Sequence, residues 1–91
     1  MQSWPSKDPQ EVLDYQFDWT ARLAASETIT TSTFLLESGS VVLGTSSIVG
    51  ALTKIWLSGG TLGEVNVITN RIVTNQARTY DSSANLRIRS H

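Results

Sequence analysis

Apolar and polar side chains alternate from Asp14 to Leu23. Tyr15, Phe17, Trp19, Ala21 and Leu23 share one parity; Asp14, Gln16, Asp18, Thr20 and Arg22 share the other. A period of two is the pattern of a half-buried strand, which predicts Phe17 and Trp19 in a core. A turn over 24–28 leads to a second strand over 29–36, closed by Glu37-Ser38-Gly39-Ser40. Short strands follow at 41–43 and 46–49, separated by Gly44, and a fifth at 52–57 carries Ile55 and Trp56. Ser58-Gly59-Gly60-Thr61-Leu62-Gly63 is a turn in which glycine permits positive φ.

The next segment, 64–73, is long and β-branched, but its parity is mixed. Val65 and Val67 oppose Ile68 and Ile72, which predicts a bulge or burial on both faces. Residues 74–77 read as a hairpin loop. A last strand over 78–89 puts Tyr80, Leu86 and Ile88 against Arg87 and Arg89. About seven short strands joined by short turns predict an all-β chain, an immunoglobulin-like antiparallel β-sandwich. An open barrel is the competing architecture.

Residues 1–12 break this rhythm. Pro5 and Pro9 favour extended backbone before them, and Lys7, Asp8 and Glu11 add charge around a lone Trp4. Asp8-Pro9-Gln10-Glu11 has the form of a capping box able to open one helical turn. The segment is read as an extended N-terminal arm, with residues 13–91 forming the sandwich. Too little apolar surface surrounds Trp4 for the arm to fold alone, so it is expected to be mobile until a partner supplies a pocket.

Composition narrows the function. The 91 residues allow one domain, and the net charge of −1 argues against a nucleic-acid grip. Cysteine is absent and the one histidine is His91, which removes thiolate, triad and histidine-based metal chemistry. No apolar run is long enough to span a bilayer. The chain is therefore expected to be no enzyme, to need no metal or cofactor, and to bind neither nucleic acid nor membrane. Asp14 and Asp18 could pair with Glu11 around calcium, but no calcium-loop spacing is present; they read as the solvated side of a strand. The glycine turn at 58–63 lacks the lysine and following helix of a phosphate loop.

Charge is unevenly placed. Residues 1–37 hold two basic and six acidic groups, whereas residues 38–91 hold five basic and two acidic. Such a split serves either internal strand pairing or head-to-tail contact between copies.

Specific strings then carry a resemblance. Trp4-Pro5-Ser6-Lys7-Asp8-Pro9-Gln10-Glu11-Val12-Leu13-Asp14-Tyr15 through Asp18-Trp19 is similar to the opening of small phage and prophage proteins. Ile55-Trp56-Leu57-Ser58-Gly59-Gly60-Thr61, Thr69-Asn70-Arg71, Arg78-Thr79-Tyr80-Asp81 and Leu86-Arg87-Ile88-Arg89 resemble later blocks of the same proteins. Ala77 stands where that pattern has a glycine. These are phage fiber-tail adaptor-like proteins. The resemblance implies a virion component, assembled in the host bacterial cytoplasm, with an immunoglobulin-like fold and no catalytic activity. It implies other tail, neck or fibre proteins as partners and copies of the chain in a ring. The residues expected at the contact are Trp4, Pro5, Lys7, Asp8, Pro9 and Glu11 of the arm, with Trp56 and Arg71 on the sandwich. Capsid decoration is an alternative role. Another is a carbohydrate-binding module built on Trp56 and the turn at 58–63.

Overall fold

A computed structural model describes residues 2–90 and is all-β. Its described residues form seven strands: β1 (Gln2–Ser3), β2 (Leu13–Asp18), β3 (Ile29–Ser38), β4 (Val41–Val49), β5 (Leu52–Gly59), β6 (Val65–Thr74) and β7 (Thr79–Arg87). They build a β-sandwich from a four-stranded sheet, β1-β7-β6-β3, and a three-stranded sheet, β2-β5-β4. Every pairing is antiparallel except β1 on β7.

The alternation on β2 reads out as expected: Tyr15, Phe17 and Trp19 are buried, while Asp14, Gln16 and Asp18 are exposed. The strand stops at Asp18, sooner than the alternation does. Asp18 accepts from the backbone N–H and hydroxyl of Thr20, at 2.9 and 2.6 Å, and this local bonding turns the chain.

One expectation is corrected and another gains a reason. The short strands at 41–43 and 46–49 are one strand, β4, with a register shift between Leu43 and Ser46. Gly44 does not end it. A Cβ there would lie 3.0 Å from the Trp56 carbonyl oxygen, so glycine lets β4 pass close to β5. The β3–β6 pairing shifts register between Ile29 and Thr31 and between Leu36 and Ser38, and Thr69 is buried on the second face, but the mixed parity of β6 comes first from polar residues on its inner face. Asn66, Ile68, Asn70, Ile72 and Thr74 point inward together, and Val65 and Val67 point outward. Asparagines at core positions hid the period.

Those asparagines hold the sheets together. Asn70 Oδ1 accepts from Thr53 Oγ1 of the opposite sheet at 2.6 Å and from the Trp19 indole N–H at 3.0 Å. Its amide donates to Ser32 Oγ and to the Thr33 carbonyl. Asn66 Oδ1 accepts the backbone N–H groups of Ser40 and Val41, where the chain crosses between sheets. Gly39 makes that corner, with φ of 107°, and any Cβ would overlap the Asn66 side chain.

Around this polar seam lie two apolar clusters. One joins Tyr15, Val41, Ile55, Leu57, Ile68, Leu86 and Ile88. The other joins Phe17, Trp19, Ile29, Ile72 and Ala84. Trp4 packs against both.

Candidate functional site

Residues 2–12 are laid along the sandwich rather than projecting from it. Gln2 and Ser3 add a parallel strand to β7, and the Trp4 N–H continues the pairing to the Asn85 carbonyl at 3.0 Å. Lys7 repeats it, bridging to Ile88. The Trp4 ring then fills the side of the sandwich, stacked 4.8 Å from Tyr15 and tilted 5.0 Å from Phe17. The Tyr15 hydroxyl donates to the Pro5 carbonyl at 3.1 Å. Burial, with Glu11 and Asp14 nearby, pushes the Tyr15 hydroxyl up to about 12.

Lys7 is fully buried. Its ammonium donates to the carbonyls of Asp8 and Gly59, at 2.8 and 2.7 Å, and so ties the segment to the end of β5. Burial holds its pKa below the ordinary value, against the pull of Glu11 and Asp8. Asp8 and Glu11 close the expected box in a single turn: Asp8 N–H donates to Glu11 Oε1, and Asp8 Oδ1 accepts from Gln10 N–H. Pro9 sits inside that turn.

The segment read as an arm thus lies packed on the sandwich. Trp4 and Lys7 find their pocket in their own chain, because Tyr15, Phe17 and β7 leave a slot between the sheets. We call residues 2–12 the strap. It gathers six of the eight candidate contact residues, but turns their bonding inward.

Trp56 and Arg71 lie elsewhere, on the outer faces of opposite sheets. Trp56 sits mid-β5, opposite Asp14 of β2, and keeps 42% of its surface exposed. Val42 and Val49 of β4 are also exposed, at 58% and 64%. Lys54 and Asp14 form an ion pair at 3.6 Å beside the indole. Arg71 is engaged by its cross-strand neighbour Asp81 in a two-pronged bond of 2.9 and 3.0 Å. That pair raises the Arg71 pKa and lowers that of Asp81.

The edge strands of the three-stranded sheet are unlike. β4 is an edge strand, and no charged residue occurs from Ser38 to Thr53. Edge strands usually carry charge against stray pairing. β2, the other edge of the same sheet, carries Asp14 and Asp18. The signal was present in the sequence as a charge gap, but only the strand order gives it meaning.

The chain matches the family model of the podophage GP4 fiber-tail adaptor protein gp77 over residues 7–87. It belongs to that family. The match begins at Lys7 and runs through the end of β7, so it spans nearly the whole sandwich. No curated protein matches the chain. The adaptor family makes it a phage virion component that binds other tail or fibre proteins.

Proposed function

We propose that this adaptor joins tail to fibre through the outer face of its three-stranded sheet, at Trp56, and through the free edge of β4. The observation that carries the reading is a half-exposed tryptophan beside an uncharged edge strand with exposed Val42, Ile48 and Val49. Tryptophan is a typical anchor in partner pockets, and an edge without charge accepts a neighbouring strand at low desolvation cost. In this reading the strap is a rigid part of the domain. Its exposed Pro5 and the Asp8–Glu11 turn flank the contact without anchoring it. Arg71, on the opposite sheet and already paired with Asp81, stands outside this contact. The chain acts without catalysis, assembles into virions in the host cytoplasm, and stands in several copies around the tail.

The test is complementation of a phage lacking this gene with Trp56→Ser. Trp56 is half exposed, so the purified variant should melt within a few degrees of the wild type. The particles should carry few or no fibres. Fully fibred particles would remove Trp56 from the contact. Loss of glycan binding with normal fibre attachment would turn the indole toward a sugar instead.

A further inference from the structure

We propose that the cavity at the margin of β1 and the end of β7 is a docking site for an acidic strand of a partner protein, gripped by Arg87 and Arg89. The proposal rests on the adaptor reading for the presence of such a partner, and on the chain's own charge pairing for the site.

The basic side chains of the molecule divide sharply. Lys7 is spent on two carbonyls, and Arg22 lies over the Tyr80 ring at 4.8 Å. Lys54, Arg71 and Arg78 pair with Asp14, Asp81 and Glu27. That leaves Arg87 and Arg89. Among the described residues neither guanidinium has an acidic partner within salt-bridge distance, and both are exposed. Both line one surface cavity of about 340 Å³. Ser3, Ser6 and Asn85 supply hydrogen-bonding groups to its wall, Trp4 and Val65 supply apolar surface, and among the described residues no acidic one lines it. Trp4 also carries a buried indole N–H without an acceptor.

The backbone fixes the spacing of the two arginines. Arg87 ends β7 opposite Val65, and Arg89 N–H donates to the Lys7 carbonyl at 2.8 Å. Two positions apart on extended chain, they face the same way with about 6.7 Å between them. A partner strand carrying two carboxylates in the same i, i+2 register would meet both guanidinium groups. β1 is the outer strand of its sheet, so the cavity opens at an edge where an extended segment can lie. A phosphate polymer fits less well, because the chain as a whole is net negative and the other described cations are already engaged.

The probes are two uncharged-end peptides of equal charge, Gly-Glu-Thr-Glu-Gly and Gly-Thr-Glu-Glu-Gly, titrated into the full chain at low salt and followed by amide and indole NMR shifts. The first should move the signals of Ser3, Asn85, Arg87 and the Trp4 indole, and bind about threefold more tightly than the second. Arg87→Gln and Arg89→Gln should each weaken it about threefold, and added salt should abolish it. Arg22→Gln, remote from the cavity, should leave it unchanged. Equal binding of both peptides, shifts scattered over the surface, or no shifts would overturn the proposal. So would tighter binding of a short oligonucleotide, which would assign the pair to phosphate. These readings are made on the isolated chain. Fibreless particles with an intact peptide site, or the reverse, would separate failure of this site from failure of the adaptor reading.

Discussion

Ala77 holds a left-handed backbone, with φ of 59°, in the hairpin between β6 and β7. That conformation costs a residue with a Cβ about 1 kcal/mol or more relative to glycine. The glycine expected from the resemblance at this position thus has a physical reason, and alanine there is a strained substitute. Ala77→Gly should stabilise the domain by about 1 kcal/mol, raising Tm by roughly 4–8 °C. Thermal melting by circular dichroism reads this directly, and an unchanged or lower Tm would mean the loop relaxes another way. Tyr15 gives a second test at this scale. Its ordinary pKa of 10.0 is raised to about 12 in the fold, so the folded chain keeps the proton longer than the unfolded one. Stability should be intact below pH 10 and fall between 10 and 12 as the unfolded state alone ionises. Tyr15→Phe should remove this alkaline loss, while Lys7, shifted down, acts in the opposite direction and remains. Phe17 and Trp19 were legible as core from alternation alone. Trp4 and Lys7 were not, because a tryptophan in a polar, proline-flanked segment looks the same whether its pocket is its own or a partner's.

Strands were easier to read than their boundaries. β2 and β7 emerged from period two because polar and apolar side chains alternate on them. β6 hid its period because Asn66 and Asn70 occupy core positions, and only their bonds across the sandwich explain that choice. β1 left no signal at all: two residues, Gln2 and Ser3, are a strand only because β7 is there to pair with. The strap is the element whose standing changed most. Trp4→Ala should cost about 2–3 kcal/mol by uncovering Tyr15 and Phe17, somewhat less than for a fully buried tryptophan. Urea denaturation of the purified chain measures this. A variant as stable as the wild type would show that the strap lies on the sandwich without supporting it.

At the scale of the whole molecule, the two sides of the sandwich are unlike. The side between β7 and β2 is closed by the strap, with a tryptophan and a buried lysine. On the other side, inward positions of β4 grow more exposed along the strand: Val41 is 3% exposed and Ile48 38%. β4 thus runs out beyond the cover of the opposite sheet, without charge and with apolar side chains at hand. An adaptor must keep its own fold while lending surface to neighbours, and in the proposed function this division of sides does both. The most direct measurement is a density map of the virion resolved well enough to trace the chain. The adaptor should lie between tail and fibre, its strap packed as in the isolated domain, and Trp56 and β4 covered by a neighbour. A map with the strap lifted from Tyr15 and Phe17 into another subunit, and with Trp56 and β4 facing solvent, would contradict this.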